Sequence, residues 1–171
     1  MKATGVVRRV DDLGRIVIPK EIRRTMHIRE GEPMEIFIDS SGSVIFKKYS
    51  PMGELSDIAT QLAESLYKEI ERPCAICDRD GIIAAAGMKC EGKKLSRVAE
   101  GVIEERRIYK SENMDVELWD GGPKAEVIIP VISGGDLSGC VVLMEGQAAV
   151  KEEEIRLAKM TATFMAKQME D

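Results

Sequence analysis

Basic side chains concentrate near the start of the chain. Five arginines occur as Arg8-Arg9, Arg15 and Arg23-Arg24, with Lys20 between them. A guanidinium group can donate two parallel hydrogen bonds to a phosphate or to the edge of a guanine. Residues 1–50 hold ten basic and seven acidic residues, whereas residues 51–171 hold 15 and 23. This asymmetry predicts a nucleic-acid-binding head on a chemically different body.

Charge alone leaves a second interpretation open. Asp11, Asp12 and Glu21 are close enough in sequence to pair with the arginines and to form an ordinary solvated surface with them. The net charge of the whole chain is −5. That value does not exclude DNA binding, because a binding face needs only local positive potential.

No residue pattern predicts catalysis, a metal site or a cofactor. His27 is the single histidine, so a Ser-His-Asp or Cys-His site would have to use it. Its position after a short helix favours a cap or surface role instead. Cys74 and Cys77 would point to opposite faces of a strand, and no second cysteine pair completes a tetrahedral metal site. The glycine pairs at 121–122 and 134–135 predict turns, because they lack the context of a phosphate-binding loop.

The head follows the pattern β-β-α-β-β. Its strands are predicted from β-branched and alternating residues. Gly14 can supply a positive φ in the first turn, and Pro19 suits the first turn of a helix. The predicted elements are strands at 5–10 and 15–18, a helix at 20–26, and strands at 34–39 and 43–48.

The head is too small to form a stable core by itself. A domain of fifty residues buries little of its surface, and no disulfide or metal framework is visible. Oligomerisation is the expected supplement.

The body starts at Ser50-Pro51, where serine can cap a helix and proline can occupy its first position. Apolar residues at helical spacing predict a helix at 54–71, which Arg72-Pro73 ends. The elements predicted after it are strands at 74–78 and 82–86, a helix at 95–108, strands at 124–132 and 137–144, and a helix at 150–170. Two terminal helices around an antiparallel sheet predict an α+β sensor fold.

The last helix carries two apolar stripes. One has the 3-4-3-4 spacing of a coiled-coil seam, and the other consists of Leu157, Met160 and Phe164. One stripe can cover the domain's own sheet, and the second would then need a partner. A single wide stripe against one core fits so short a pattern equally well. The candidate oligomerisation residues are Leu55, Ile58, Leu62, Leu66, Ile155, Ala158, Ala162, Met165 and Met169.

The chain has no apolar run long enough for a membrane span, which takes about 20 residues. Its first residues lack the apolar centre of a signal peptide. The four cysteines show no disulfide spacing. We therefore expect a protein of the reducing cytoplasm, associated with the nucleoid and without a membrane partner.

Residues 5–24 resemble the AbrB-like swapped-hairpin family of bacterial DNA-binding regulators. Turns, strands and arginines share its register, and the match continues through Gly31, the strand at 34–39 and residues 44–49. In this family two chains interleave their hairpins into one barrel, which the resemblance implies for residues 1–50. It also places the DNA-contacting arginines at Arg8, Arg15, Arg23 and Arg24, and Arg9 and Lys20 could add to the same face.

The whole chain resembles regulators of spore-forming bacteria in which such a head precedes a GAF-type domain. The resemblance implies a head at 1–50, a linker helix at 51–72 and a GAF-like regulatory and oligomerisation domain at 73–171. It implies that sporulation-stage genes are activated and repressed through double-stranded DNA. It also implies a homodimer through the head and a homotetramer through the C-terminal helices. A small molecule could bind between the sheet and residues 88–122, and the residues identify none.

Two alternatives remain. The C-terminal domain could be purely architectural. An autoregulating antitoxin can use the same head, although antitoxins append a short disordered tail and this tail is long and foldable. No enzymatic activity is expected.

Overall fold

The computed structural model describes residues 5–112 and 114–170. The chain divides into two compact units, with the boundary between Tyr49 and Ser50. Both units combine helices with antiparallel strands, so the fold class is α+β. No helix within the described residues is long and apolar enough to cross a membrane.

The first unit contains one short helix and one β-hairpin. Helix α1 spans Lys20–Thr25, and strands β1 and β2 span Met34–Ile38 and Val44–Lys48. The two strands pair antiparallel over their full length. Asp39 closes the hairpin, because its carboxylate accepts hydrogen bonds from two backbone N–H groups of the turn, both at 2.9 Å. These three elements lie where the sequence predicts them.

The first unit departs from the prediction at 5–10 and 15–18, which form no strands in the single chain. A strand needs a neighbouring strand to complete its backbone hydrogen bonds, and the sheet of this unit consists of β1 and β2. The turn between the two segments does form. The N–H groups of Asp11 and Gly14 donate to the carbonyls of Arg15 and Asp11, each at 3.0 Å. Gly14 supplies the predicted positive φ, at +76°.

The first unit leaves its own apolar side chains in solvent. Val7, Val17 and Ile38 are 85%, 71% and 78% exposed. Among the residues described in this unit, Pro19 alone is buried. The prediction that the head lacks a core is therefore confirmed. A second chain or another partner has to cover these side chains before the unit can be stable.

The second unit is built on a six-stranded antiparallel sheet. Its strands are β3 (Cys74–Asp78), β4 (Ile82–Ala86), β5 (Tyr109–Lys110), β6 (Val116–Glu117), β7 (Lys124–Ser133) and β8 (Asp136–Met144). Its helices are α2 (Pro51–Glu54), α3 (Ser56–Ile70), α4 (Arg97–Glu104) and α5 (Glu152–Gln168). The strand order is β4-β3-β8-β7-β5, and β6 pairs with β7.

Most of these elements match the predicted ones. The predicted helix at 54–71 is divided at Leu55 into α2 and α3, and the helix predicted at 95–108 is shorter at both ends. Strands β5 and β6 were not predicted, because strands of two residues carry no alternation pattern.

Each face of the sheet carries its own hydrophobic core. Helices α3 and α5 cover one face, and α4 together with Leu95 and Leu118 covers the other. Successive side chains of β8 alternate between the two. Val141 and Leu143 belong to the core under α3 and α5, while Val142 and Met144 belong to the core under α4. The unit therefore has three layers with the sheet in the middle.

Cys74 and Cys77 belong to opposite cores, as strand alternation predicts. Burial raises the pKa of the Cys74 thiol to about 12. The hydrogen bond with Cys140, directly opposite on β8, and burial together raise the pKa of Cys77 well above its ordinary value. The thiolate is the form that attacks electrophiles and binds metals. Both thiols therefore act as small packing groups.

The nine candidate oligomerisation residues pack within their own chain. The stripe with coiled-coil spacing covers the domain's own sheet. All nine lie in the core under α3 and α5 or pack against it, namely Leu55, Ile58, Leu62, Leu66, Ile155, Ala158, Ala162, Met165 and Met169. The second stripe of α5 is the open one, with Met160 64% and Phe164 43% exposed. A contact between copies through α5 therefore has to use this second stripe.

Arg72 is a buried cation that ties four segments together. It follows α3 and pairs with Glu126 on β7 and Glu154 on α5, each at 3.4 Å. It also donates to the carbonyl of Met144 at 3.2 Å and to that of Ala148. A buried charge is tolerated only with such complete pairing.

Replacing Arg72 should destabilise the protein strongly. Arg72→Ala leaves two carboxylates without their partner, which should lower the free energy of unfolding by about 3–5 kcal/mol. Urea unfolding of the full chain, followed by circular dichroism, measures the loss. Arg107→Ala is the matched control, because Arg107 pairs with Glu105 at the surface, where a pair contributes about 1 kcal/mol or less. Equal unfolding midpoints for the two variants would contradict the role of Arg72.

Candidate nucleic-acid interface

The basic side chains of the first unit lie on the 11–14 turn and on α1. Arg8 and Arg9 precede the turn and Arg15 follows it. The helix carries Lys20, Arg23 and Arg24. All six side chains are exposed, so each is available to a ligand in solution.

Most of these cations have no carboxylate partner. Within the described part of the chain, Arg15 is the one of the six that forms an ion pair, with Asp11. Arg8 donates to the carbonyl of Val7 at 3.3 Å. Among the described residues, Asp12 and Glu21 therefore do not pair with these arginines. The alternative of a surface neutralised by such pairs is not realised there. An exposed guanidinium without a counterion favours phosphate or another anion as its partner.

Helix α1 presents Arg23 and Arg24 in its last turn. The N–H of Ile28 donates to the Arg23 carbonyl at 2.8 Å, and the N–H of His27 donates to the Arg24 carbonyl at 3.4 Å. His27 has a φ of +52° and is the left-handed residue of a Schellman-type cap. The predicted cap role of His27 is confirmed. The cap fixes the turn of helix on which both arginines stand.

Asp11 organises the turn beside Arg15. Its Oδ1 accepts hydrogen bonds from the backbone N–H groups of Leu13 at 3.0 Å and Arg15 at 2.7 Å. Its Oδ2 accepts a hydrogen bond from Nε of Arg15 at 2.8 Å. The hydrogen bonds from Arg15 lower the pKa of Asp11. The sequence Asp-Asp-Leu-Gly signals a turn, but it does not show which aspartate binds the arginine.

Two further basic residues of the unit are used inside it. Nζ of Lys48 donates to the carbonyl of His27 at 2.6 Å and lies 3.5 Å from a carboxylate oxygen of Glu32. Glu32 also pairs with the guanidinium of Arg29, whose Nη1 lies 3.7 Å from Oε1, and accepts the Arg29 backbone N–H at 2.8 Å. These contacts connect β2 to the end of α1. They separate structural cations from the six exposed ones.

The space between the sheet and residues 88–122 is filled by the protein itself. The side chains buried there include Leu95, Val102, Ile103, Val116 and Leu118. A cleft of about 230 Å³ lies at the edge of this layer, and its lining includes Val102, Arg107, Tyr109, Lys110 and Met114. The layer between the sheet and α4 is therefore occupied by side chains, whereas a second cleft, of about 570 Å³, lies beside β4 with Tyr67, Gly87 and Met88 in its lining.

Two family models match the chain in succession. Residues 54–170 match the model described as stage V sporulation protein T C-terminal, transcription factor. This chain belongs to the stage V sporulation protein T family. Residues 7–53 match the model described as antidote-toxin recognition MazE, bacterial antitoxin.

Two relatives show how much of the chain each resemblance covers. Stage V sporulation protein T of Bacillus subtilis (strain 168) is 43% identical over 177 residues, which span 99% of this chain and 99% of that protein. The transition state regulatory protein AbrB of the same strain is 49% identical over 69 residues, which span 37% of this chain and 71% of that protein. The first unit is therefore AbrB-like, which confirms the resemblance predicted from its arginines and turns.

The second unit has a GAF-like fold. The GAF domain from Acinetobacter phosphoenolpyruvate-protein phosphotransferase aligns with a TM-score of 0.52 at 12% identity, over 72% of this chain and 84% of that domain. Similarity at this identity concerns the fold alone. Members of the stage V sporulation protein T family such as this one thus join an AbrB-like head to a GAF-like body, as the sequence predicts.

The carboxyl group of Asp11 should titrate below the pH at which an unfolded aspartate titrates, about 3.9. The hydrogen bonds from the backbone and side chain of Arg15 lower its folded-state pKa. The stability gained from these bonds is therefore present above the unfolded pKa and is lost as the pH falls through the folded one. Carbon-13 NMR titration of the full chain measures the midpoint. In Arg15→Ala the midpoint should move upward, and an unchanged value would contradict the ion pair.

Proposed function

We propose that this protein is a sequence-selective DNA-binding transcription regulator, which activates some sporulation-stage genes and represses others on the nucleoid. The observation that carries the proposal is the set of six exposed cations on an AbrB-like unit. The relatives are consistent with it, since one is named for a stage of sporulation and the other as a transition state regulator.

The chemistry of DNA contact follows from the side chains. Lysine and arginine neutralise phosphates without regard to sequence, whereas an arginine fork on O6 and N7 selects guanine. The residues assigned to this face are Arg8, Arg9, Arg15, Lys20, Arg23 and Arg24. If Arg8, Arg15, Arg23 and Arg24 of two copies all met phosphate, the logarithm of the affinity would fall with the logarithm of salt at a slope of roughly −7.

A swapped dimer of the first unit accounts for its bare apolar side chains and for the predicted strands at 5–10 and 15–18, which would form against a second chain. The second chain would also cover residues such as Val7, Val17 and Ile38, which are exposed in one chain. Burial of apolar surface is the main favourable contribution to such an association. The same dimer would present each arginine twice.

The GAF-like body joins two such dimers into a tetramer in this proposal. The open stripe of α5, with Met160 and Phe164, is an apolar surface that a second copy could cover. Once one head of such a tetramer had bound DNA, the linked second head would have a raised effective concentration at a neighbouring DNA site.

The filled layer under α4 favours an architectural role for the body over small-molecule sensing. A ligand would have to displace buried side chains such as Val116 and Leu118, or to bind in one of the two open clefts, at the edge of this layer or beside β4. It would also need different affinities for two assembly states to change DNA binding.

An antitoxin function is the alternative suggested by the match of residues 7–53. The folded second unit, with its sheet and two cores, is unlike the short disordered tail expected of an antitoxin. The proposal involves no catalysis, and AbrB is named as a transition state regulatory protein.

Arg15→Ala and Arg23→Ala should each weaken binding to a specific DNA site by about 1–3 kcal/mol, because each removes a bidentate contact with a base. Fluorescence anisotropy over a salt series, on a duplex enriched from random DNA by the unmodified protein, measures the affinity. Arg107→Ala, an exposed arginine of the second unit, should retain full affinity. Folded Arg15→Ala and Arg23→Ala variants with full affinity would show that DNA binds elsewhere.

Acidic residues on the open stripe of α5 should separate the tetramer into dimers. The double substitution Met160→Glu and Phe164→Glu places charges in an apolar contact, where their desolvation is costly. Both side chains are exposed in one chain, so the fold should persist. In-line light scattering measures the mass. Val98→Glu on α4, where Val98 is 51% exposed, is the matched control and should stay tetrameric. A tetrameric double variant would rule out this interface.

A further inference from the structure

We propose that Asp11 is a positioning residue of the DNA-binding face, which holds the guanidinium of Arg15 in the orientation needed to contact a base edge. The inference rests on the proposed function, because it requires that Arg15 contacts DNA. It gives an acidic residue a role in specific DNA binding. Electrostatics alone would predict that this residue weakens the binding.

Three hydrogen bonds connect Asp11 and Arg15. The Asp11 N–H donates to the Arg15 carbonyl at 3.0 Å. The Arg15 backbone N–H donates to Oδ1 at 2.7 Å, and Nε donates to Oδ2 at 2.8 Å. The carboxylate therefore holds both the backbone and the side chain of the arginine. Side-chain freedom that is removed before DNA arrives need not be lost on binding.

The geometry leaves one edge of the guanidinium open. Nε is bonded to Asp11 on the side-on edge of the guanidinium, whereas Nη1 and Nη2 together form its separate end-on edge, and the Arg15 side chain is 69% exposed. Five N–H donors lie in a fixed plane in arginine. The two terminal nitrogens form a fork that matches O6 and N7 of guanine. Asp11 thus selects end-on contact through Nη1 and Nη2 and blocks side-on contact through Nε.

Electrostatics alone predicts the opposite effect for this carboxylate. A negative charge on a DNA-binding face repels phosphate, so its removal should strengthen binding. Asp12 provides a matched control. It is adjacent, exposed and equally charged, and its side chain takes part in no hydrogen bond or ion pair among the described residues. Removing the charge of Asp12 measures repulsion alone, whereas removing that of Asp11 measures repulsion together with positioning.

The experiment compares Asp11→Asn and Asp12→Asn in the full chain. Asparagine retains a carbonyl oxygen for the N–H groups of the turn and loses the charged acceptor that faces Nε. Affinity is measured at fixed salt for two probes, namely the enriched duplex and guanine-free poly(dA-dT). We expect Asp11→Asn to lose about tenfold in affinity for the enriched duplex, equivalent to about 1.4 kcal/mol. Asp12→Asn should keep or gain affinity, and both variants should bind poly(dA-dT) at least as tightly as the unmodified protein.

Arg15→Ala separates failure of this inference from failure of the proposed function. If Arg15→Ala keeps full affinity, Arg15 is not a DNA contact and the proposed site itself is refuted there. If Arg15→Ala loses affinity and Asp11→Asn behaves like Asp12→Asn, positioning alone is refuted. The double variant Asp11→Asn/Arg15→Ala should bind at least as tightly as Arg15→Ala does, because only the repulsion by Asp11 is then removed. A further loss in the double variant would mean that Asp11 acts through something other than Arg15.

A measurement on the unmodified protein tests the same geometry without relying on a variant that folds. Nitrogen-15 NMR resolves the Nε and Nη groups of arginine. On addition of the enriched duplex, the Nη resonances of Arg15 should shift more than its Nε resonance. A larger shift at Nε would show side-on contact and would overturn the inference.

Discussion

The AbrB-like unit depends on one constraint, which is that its chain is too short to cover its own apolar side chains. Val7, Val17 and Ile38 stand in solvent in the single chain, and Pro19 is the one buried residue among those described in this unit. Burial of such groups is the dominant favourable contribution to folding. A unit in this state is completed by association. Any association through two-fold symmetry also presents the basic face twice. The small size of the unit therefore underlies both its need for a partner and the doubling of its basic face.

The GAF-like unit differs from the AbrB-like unit because it buries apolar side chains within its own chain. Its sheet separates two complete hydrophobic cores. Arg72 fastens the segments at one end of the sheet through paired and hydrogen-bonded contacts. At the boundary with the head, Ser50 caps α2 by accepting the Gly53 N–H at 3.1 Å and donates to Asp78 at 3.0 Å. The first residue of this unit is thereby anchored to the end of β3.

The basic face shows how structural charges are separated from those available to a ligand. Lys48 is bound by Glu32 and by the carbonyl of His27, whereas Arg23 and Arg24, at a capped helix end, form no ion pair with any residue that the structure describes. Arg15 lies between these cases. Its side chain is exposed, but its guanidinium is bonded to Asp11 through Nε. Specific recognition requires that a guanidinium be oriented as well as present. A nearby carboxylate is therefore compatible with a DNA-binding face.

The sequence by itself determined the division near residue 50, the long strands and helices, the turn at Gly14 and the identity of the exposed cations. These features follow from local periodicity, turn chemistry and charge. Tertiary structure alone decided that 5–10 and 15–18 form no strands in one chain and that the coiled-coil-like stripe of α5 is buried by its own sheet. It also decided which aspartate holds Arg15 and that side chains fill the layer under α4. Such facts depend on contacts between distant or alternative neighbours, and a periodic pattern shows that a face is apolar without showing what covers it.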